Sequence, residues 1–561
     1  MENRRFILIA LLGVVLFFIY QAWQTDYPPP ATPPQTATTA PADLDEPSAT
    51  APTLAATSST ATNAPSAAAT GTATEAVAGK PVLVHTDLVI AEISMTGGEL
   101  SRVELLGYPE FKNQPENLAL LDNRNGRWFV LQSGLASSQA ALVTPQSVYL
   151  APQGEYSLAP GADTLDVTLE HVSAQGYTVR KTYRFHRGSY QIDLIQTLLN
   201  ASGTEISASP YVRFARTSYA VGYQPKFSKT FTGVGLYMQK PGSTSYKFEK
   251  ISADDLPAKP AELKQTGGWL ALLQHYFVAA IVPPADEALT LSAKAGKERG
   301  YVGQYVGAAA SVAPQAQHSY STGLYIGPEL QDRVADVAPG FELTLDYGIL
   351  TPIAKPLFWV LKFFQQLTGN WGYAIILLTV AVKGAMYKLS EAQYRSMAKM
   401  KKFGPRIQEL KERYADDRER QQKAMMELYK KEGFNPLAGC WPLLLQMPVF
   451  FALLWVIQQS VELRMVPFAL WIRDLSAPDP YYVLPVLYGA AMWAQQKLSG
   501  QSAAMDPMQQ KMMNVMPIAL TAFFTFWPSG LVLYWIVSIL ISVAQQWYIT
   551  RKYQHEAAPR T

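Results

Sequence analysis

One cysteine, Cys440, is present among the 561 residues of the chain. A single thiol excludes an intramolecular disulfide, so a soluble domain must be held together by its hydrophobic core, even in an oxidising compartment. The chain also lacks a strong net charge, because 47 lysine and arginine residues nearly balance 44 aspartate and glutamate residues. This balance does not indicate nucleic acid as the main partner, and we predict no direct, sequence-specific contact with nucleic acid.

Signatures of catalysis and of cofactor binding are also missing. The HExxH, GxSxG, P-loop and CxxC patterns do not occur in the sequence, although metal hydrolysis, nucleophilic catalysis, phosphate binding and thiol redox chemistry often use them. The histidines of the central region fall at no recognisable metal-ligand spacing: they are His85, His171, His186, His275 and His318. We therefore expect no catalytic residue, no metal ion, no cofactor and no enzymatic activity.

The first 80 residues combine an apolar run with a low-complexity segment. Two arginines precede the apolar run from Phe6 to Tyr20, and the stretch from Phe6 to Trp23 would extend about 27 Å as a helix, enough to cross a bilayer. No small-x-small cleavage site follows, which favours a transmembrane signal anchor over residues 1–23 above a cleaved secretory signal. Residues 24–80 are mostly Ala, Thr, Pro and Ser, and this composition predicts a disordered tether.

Residues 81–340 show the alternation of an all-β domain. In the stretch 177–185, Val179, Lys181 and Phe185 fall on one face and the residues between them on the other. This period of two is typical of a half-buried antiparallel strand. Glycine-containing turn signals separate the runs. A region of about 260 residues built in this way predicts a large sandwich of two sheets.

The last third of the chain is dominated by apolar segments. Residues 347–368 carry Lys355 and Lys362 among apolar residues, and we predict a helix lying in the membrane interface. Residues 369–550 form a predicted core of five transmembrane spans, with a short tail over 551–561. The predicted spans are 371–389, 438–457, 481–495, 515–527 and 531–548.

Charge between the apolar segments predicts their orientation. Thirteen lysine and arginine residues lie between Gly384 and Ala438, whereas the loop from Val461 to Pro480 contains only Arg464 and Arg473. Loops rich in lysine and arginine stay in the cytoplasm. We therefore expect both termini and the basic loop in the cytoplasm, and the β domain outside it.

A lysine inside the first core span is the main candidate for function. Thr379, Lys383 and Tyr387 recur at i, i+4 and i+8, so an unbroken helix would place them on one stripe. A charge at bilayer depth costs roughly 2.5–3.5 kcal/mol, so it should face protein or water. Snorkelling is the alternative, because Lys383 is only about 7.5 Å of helix rise from Lys388. The five spans contain no Asp or Glu, which favours an unpaired cation in a wet cavity.

Other polar groups of the spans are candidates to line the same cavity. Gln446 lies between two prolines, and Tyr534, Trp535, Ser538 and Ser542 lie in the last span. Hydrogen bonding between helices, or an interfacial position, accounts equally well for each residue alone. Together with Lys383 they predict a hydrophilic groove.

The basic loop is predicted to form a cytoplasmic helical hairpin over residues 388–434. Its apolar residues recur at spacings of three and four below a basic face, and two aspartates can cap the second helix. A methionine-rich stripe usually forms the seam of a hairpin, but it is also an adaptable surface for varied apolar partners. The candidate contact residues of the hairpin are Met397, Met400, Asp416, Asp417, Met425 and Met426.

Several strings in the C-terminal half resemble the YidC insertase family of Gram-negative bacteria. The resemblance covers the whole chain, from the anchor through the β domain to the five core spans. The strings that carry it include Asn435-Pro436-Leu437, Pro442-Leu443-Leu444-Leu445-Gln446-Met447-Pro448, Pro467-Phe468-Ala469-Leu470-Trp471, Asp506-Pro507-Met508-Gln509-Gln510 and Pro528-Ser529-Gly530-Leu531-Val532-Leu533-Tyr534.

This resemblance implies a multidomain protein of the inner membrane. It would have an α-helical core of five spans, an N-terminal anchor helix, an all-β periplasmic super-sandwich related to sugar mutarotases, and a cytoplasmic hairpin. The family normally has one arginine in the first core span, where this chain has Lys383. Lysine keeps the charge but lacks the planar fork of donors. Thr379 matches a groove threonine of the family, and Trp535 stands where a tyrosine is common.

The resemblance also implies a function and partners. We expect a membrane-protein insertase and chaperone that moves transmembrane segments of nascent proteins into the inner membrane, alone or with the Sec translocon. Membrane lipids, ribosomes and targeting factors would be further partners. A membrane-tethered sugar-binding or mutarotase-like module is the alternative. The hypothesis of a channel or transporter has the least support, because the spans show neither an internal repeat nor an acidic ion pathway.

Overall fold

The computed structural model describes residues 79–556, apart from 112–115, 125, 138–141, 218–230, 241, 297–299, 346, 415–416, 432–440 and 500–506. The predicted anchor, nearly all of the predicted tether and the end of the predicted tail therefore lie outside the described residues. Residues 79–345 are called the β domain below, and residues 347–556 the helical domain.

Alternating apolar and polar residues form the strands of the β domain. In the strand Tyr177–His186, for example, Val179, Lys181, Tyr183 and Phe185 are buried and the residues between them are partly exposed, as the sequence pattern predicts. In chain order the strands are β1 (Val82–His85), β2 (Val89–Ile93), β3 (Leu100–Pro109), β4 (Asn117–Leu121), β5 (Phe129–Ala136), β6 (Glu155–Ser157), β7 (Thr164–Val172), β8 (Tyr177–His186), β9 (Gln191–Asn200), β10 (Ile206–Arg216), β11 (Gly233–Gln239), β12 (Tyr246–Ser252), β13 (Ala261–Thr266), β14 (Trp269–Gln274), β15 (Phe277–Val282), β16 (Ala288–Ala295), β17 (Tyr301–Val306), β18 (Ala310–Val312) and β19 (Gln317–Pro328).

These strands form two sheets. The first has the order β13-β16-β17-β10-β5-β3-β2-β1-β6, with β18 beside β10 and β4 beside β3; the second has the order β12-β11-β14-β15-β19-β9-β8-β7. Neighbours pair antiparallel, except that β1 and β6 run parallel. Apolar residues from both sheets form one core, which runs from Val82 to Leu345 and includes Val461 of the helical domain. The predicted two-sheet sandwich is confirmed.

A buried lysine joins the two sheets. Lys181 of β8 is fully buried, and its Nζ donates to the carbonyl oxygens of Gly97 (2.6 Å) and of Ser133 in β5 (2.7 Å). The ammonium also lies 4.7 Å from the centroid of the Tyr149 ring. Burial lowers the pKa of Lys181 from its ordinary 10.5 to about 7, and the nearby charge of Glu99 opposes this shift. The side chain is therefore a polar link through an apolar core.

Eight helices follow in the described part of the helical domain. The apolar segments predicted as spans account for most of them, with bounds that differ by several residues. The helices are α1 (Thr351–Thr368), α2 (Trp371–Ala385), α3 (Tyr387–Arg413), α4 (Arg418–Lys431), α5 (Trp441–Gln459), α6 (Val483–Ser499), α7 (Pro507–Phe524) and α8 (Ser529–Glu556).

A cap and a glycine fix the start of α2. The side chain of Asn370 accepts hydrogen bonds from the amides of Gly372 (2.8 Å) and Tyr373 (3.3 Å), which would otherwise be unpaired at a helix N-terminus. Its Nδ2 donates to the carbonyl of Phe468 (3.0 Å) in the loop after α5. A Cβ at Gly372 would lie 1.9 Å from the Phe468 ring. Only glycine allows this loop to pack so closely.

Few of the described helices are long and apolar enough to cross a bilayer. Ser529–Lys552 of α8 meets both criteria by itself. Trp371–Ala385 and Tyr387–Arg395 meet them only when taken together as one span, and a bend of 60° separates the two helices. The helix predicted to continue to 389 therefore ends at Ala385: Met386 has non-helical angles (φ −87°, ψ 5°) and stands two residues after Gly384, a weak helix former. The count of six spans stays a prediction.

The β domain is joined to the C-terminal end of α5. The Nε2–H of His275 donates to the carbonyl of Gln458 (2.8 Å), and burial lowers the pKa of His275 to about 4, so the ring is neutral at physiological pH. Nearby, the backbone N–H of Gln331 donates to Glu462 Oε1 (3.0 Å). The side-chain Nε2 of Gln331 donates to Ser460 Oγ (3.0 Å). An ion pair also links Lys362 of α1 to Asp332. These contacts form the joint between the two domains.

We predict that Lys181 makes the stability of the β domain rise with pH. Between about pH 7 and 10.5 the unfolded chain binds a proton at Lys181 that the folded chain does not, so the free energy of unfolding should increase by about 1.4 kcal/mol per pH unit. Urea unfolding of residues 79–345, followed by the fluorescence of Trp128 and buried Trp269, measures this slope below pH 9.5, before tyrosines titrate. Lys181→Met should remove the slope, whereas Arg184→Met, exposed on the same strand, should keep it. Equal slopes in both variants would contradict the prediction.

Candidate functional site

Lys383 lies in the last turn of α2 and is buried within the helical domain. Its side chain is 8% exposed, and Nζ donates to Gln446 Oε1 (3.1 Å) on α5 and to Ser542 Oγ (2.9 Å) on α8. By contrast, the side chain of Lys388 is 91% exposed. The snorkelling alternative is therefore wrong for Lys383, because its ammonium turns toward polar groups of neighbouring helices.

Gln446 connects Lys383 to the last helix. Its Nε2 donates to the hydroxyl of Tyr534 (3.1 Å) and to Ser538 Oγ (3.3 Å). Tyr534, Ser538 and Ser542 are spaced four residues apart on α8, so one stripe of that helix supplies all three hydroxyls. Lys383, Gln446, Tyr534, Ser538 and Ser542 are called the Lys383 cluster below. The contacts within the cluster that connect α2, α5 and α8 are all hydrogen bonds.

The cluster contains a cation but no acid. Within the described ranges, no aspartate or glutamate forms an ion pair with Lys383, whose contacts are an amide oxygen and a hydroxyl. Neutral dipoles stabilise an ammonium without neutralising its charge. The arrangement can therefore bind an anionic or strongly polar group by displacing weak partners rather than by breaking an ion pair.

Two predicted groove residues lie outside the cluster. Thr379 is fully buried, but its Oγ1 donates to the carbonyl of Ile375 (2.7 Å) in its own helix. Tyr387 follows the 60° bend between α2 and α3, so the predicted stripe of Thr379, Lys383 and Tyr387 does not continue past Lys383. The prediction assumed an unbroken helix.

Trp535 occupies a different face of α8 from the cluster. Its ring packs against Phe450 (5.3 Å between centroids), Phe524 (5.9 Å) and Tyr488 (6.2 Å). The indole Nε1 is buried and has no hydrogen-bond partner within the described part of the chain. Trp535 therefore supports the cluster by apolar packing, and helical spacing accounts for this: it follows Tyr534 by one residue and points about 100° away around the helix.

One residue of the site was missed by sequence reasoning. Ser542 is among the polar residues predicted to line the groove, and its spacing of four from Ser538 places both on one stripe of α8. Gln545 donates from Nε2 to the backbone carbonyl of Lys383 (3.3 Å). No spacing in the sequence indicates this second contact, because it joins residues 162 positions apart.

The hairpin residues are described only in part. Asp417 caps α4, accepting hydrogen bonds from the amides of Glu419 (3.1 Å) and Arg420 (3.0 Å) at Oδ1, as the sequence predicted. Asp416 lies outside the described residues. The side chain of Met426 is 58% exposed. The other three hairpin methionines, whose backbone is described but whose side chains are not, are Met397, Met400 and Met425.

Metal chemistry has no support in the described part of the chain. No group of three or more His, Cys, Asp or Glu side chains there is arranged to hold a metal ion. The Lys383 cluster likewise contains amide, hydroxyl and ammonium groups, which are not a typical donor set for a structural or catalytic metal.

Comparisons with known proteins place both domains. A family model described as 60Kd inner membrane protein matches residues 363–556, and one described as YidC periplasmic domain matches residues 81–360. A protein named membrane protein insertase YidC from Nitrosococcus oceani is 42% identical, covering 99% of this chain and 100% of the relative. The protein of the same name from Methylococcus capsulatus is 41% identical and covers both chains completely. A crystal structure of an active YidC insertase covers 84% of this chain and 94% of its own, with a TM-score of 0.40 and 18% identity.

We predict that Gln446→Leu destabilises the helical domain by about 1–3 kcal/mol, because it leaves Lys383 with one partner and the hydroxyls of Tyr534 and Ser538 without Gln446. Gln446→Glu keeps an acceptor oxygen beside Lys383 and should stay within about 1 kcal/mol of the native protein. Unfolding of the purified chain in a denaturing-detergent titration measures both. Native stability of the leucine variant would mean that the cluster does not hold the three helices together.

Proposed function

The chain belongs to the YidC family of membrane protein insertases, and from this premise we propose that its Lys383 cluster receives the polar part of a nascent membrane protein. The protein is an insertase of the inner membrane and not an enzyme. Its substrates are nascent membrane proteins.

The observation that supports this role is a buried ammonium whose hydrogen-bond partners, among the residues that the structure describes, are neutral. An unpaired polar or charged segment crossing hydrocarbon loses its hydration, and that loss is the main barrier to insertion. A cluster of hydroxyl, amide and ammonium groups part-way across the bilayer replaces the lost water for a short acidic segment. The apolar helix of the same client then moves sideways into lipid. No bond is made or broken, so the step needs no cofactor.

Lysine at position 383 determines how such a segment is held. An ammonium is a compact point charge with rotatable donors, whereas a guanidinium presents a planar fork that matches a carboxylate. The role proposed for Lys383 therefore depends on charge and not on bidentate geometry. Gln446 competes with the client for the ammonium, which keeps the resting charge hydrogen-bonded.

The orientation proposed for the chain follows from its charge. The β domain faces the periplasm, both termini are cytoplasmic, and the basic helices α3 and α4 form the cytoplasmic hairpin that receives clients first. Exposed Met426 and the neighbouring methionines supply an adaptable apolar surface. The Sec translocon, ribosomes and targeting factors are the partners proposed for these cytoplasmic loops.

We predict that Lys383→Ala reduces insertion of clients with a short acidic translocated segment by about tenfold or more, since a charge-assisted hydrogen bond contributes roughly 1.5–3 kcal/mol. Lys383→Arg should keep activity. Gln446→Glu should lose it despite its stability, because the new carboxylate neutralises the ammonium. Protease protection of the client in reconstituted vesicles measures insertion.

The matched control is Lys388→Ala, which removes an exposed lysine five residues away and should leave insertion unchanged. A client with a neutral translocated segment should depend little on residue 383. Full insertion of acidic clients by Lys383→Ala would refute the electrostatic role.

Labelling of single cysteines tests the proposed topology, in a chain whose Cys440 is replaced by serine. A cysteine at Val172, which is 70% exposed in the β domain, should react with an impermeant maleimide from the periplasmic side. A cysteine at Met426 should react only after the inner membrane is opened. Labelling of both positions from the same side would contradict the proposed orientation.

A further inference from the structure

A cavity of about 320 Å³ lies at the joint between the β domain and the helical domain. One part of its wall comes from strands of the β domain, and another from the C-terminal turn of α5 and the residues just before α1. None of the residues proposed for insertion lines it. Its two ends differ in chemistry.

The end formed by the β domain is polar and carries one charge of each sign. Lys250 of β12 and Glu329, which follows β19, both line the cavity. Lys250 Nζ donates to the carbonyl of Thr344 (3.4 Å), and the Lys250 charge opposes the desolvation that raises the pKa of Glu329 to about 7. A cavity with a partly desolvated carboxylate and an ammonium complements a ligand that itself carries both charges.

An unpaired amide supplies the second observation at this end. Gln274, the last residue of β14, lines the cavity and is 6% exposed. Its Nε2 and Oε1 are both buried, and neither has a hydrogen-bond partner among the described residues. Buried amides of folded proteins are nearly always paired, and a ligand with a donor or acceptor group would pair this one.

The end formed by the helical domain is apolar and open. Ile349 is 94% exposed just before α1, and Trp455 is 37% exposed near the C-terminus of α5. Leu350 continues this apolar rim. Tryptophan is typical of the level where lipid headgroups meet hydrocarbon, and α5 covers most of a predicted span. The rim therefore lies where acyl chains begin.

We propose that this cavity binds the headgroup of one zwitterionic aminophospholipid. Lys250 binds its phosphate, Glu329 binds its ammonium, and the Gln274 amide pairs with an ester group of the glycerol. The acyl chains leave over Ile349, Leu350 and Trp455. The site follows from the joint alone and does not depend on the function proposed for Lys383.

The chemistry of the wall favours this ligand over a soluble anion. Free phosphate would satisfy Lys250 but would be repelled by Glu329, and it would leave the apolar rim uncovered. An anionic phospholipid without an amine would satisfy the rim but not Glu329. A bound aminophospholipid would also fill the joint beside the hydrogen bond from His275 to Gln458, and would hold the β domain against the membrane surface.

Native mass spectrometry of the full chain, released from nanodiscs of phosphatidylethanolamine and phosphatidylglycerol in equal parts, tests the proposal. The native protein should retain one phosphatidylethanolamine through delipidation, in preference to phosphatidylglycerol. Lys250→Ala should lower its occupancy about tenfold, as expected for losing a charge-assisted contact with phosphate. Glu329→Gln should remove the preference between the two lipids. Lys247→Ala is the matched control, because Lys247 lies on the same strand and pairs with exposed Glu249 (2.6 Å).

Equal occupancy in the native protein and in Lys250→Ala, or no preference for the amine lipid in the native protein, would overturn the proposal. Displacement by inorganic phosphate would overturn it too, because phosphate has neither the amine nor the acyl chains that the proposed contacts require. If a variant fails to fold, photocrosslinking of the native protein tests the same site without any substitution. Phosphatidylethanolamine with a photoreactive acyl chain should label the segment around Ile349 and Trp455, and labelling confined to other helices would contradict the site.

Discussion

The hydrogen bonds of one ammonium group connect three helices of the helical domain. A lysine held among helices must find partners for its donors, because an isolated charge cannot remain in an apolar interior. Lys383 finds them on α5 and α8, and Gln446 then uses its remaining donors on the same stripe of α8. Three helices distant in the chain are thereby brought to one point. Within the described part of the chain no carboxylate pairs with this cation, and that is the property proposed to act on clients.

The β domain and the Lys383 cluster both contact the helix α5. Gln446 lies in the first turns of α5, whereas Gln458 at the other end of that helix accepts the hydrogen bond from His275. Twelve residues of helix separate the two contacts by about 18 Å. Ser460 and Glu462, just beyond α5, add further contacts to Gln331. The β domain and the cluster are therefore linked through α5, at opposite ends of that helix.

Much of the fold could be predicted from local periodicity, and the exceptions have physical causes. The alternation in 177–185 identified β8 and its buried face, including Lys181. The partners of that lysine could not be predicted, because Gly97 and Ser133 are brought near it only by sheet packing. For the site, residue types in the spans pointed to Lys383 and Gln446. Their contact across 63 positions depends on helix packing, which single-sequence periodicity does not contain.

The break at Met386 changes the electrostatics of Lys383. Because α2 ends at Ala385, its last carbonyl groups lie within one turn of the lysine, and a helix C-terminus carries about half a negative charge. An unbroken helix to residue 389 would have moved that partial charge a full turn away. The carbonyl end of α2 thus places a fixed, diffuse partial charge near Lys383, next to the N-terminus of α3 with its partial charge of opposite sign. These backbone dipoles stay in place when a client leaves, and they leave the full unit charge of the ammonium for an incoming carboxylate.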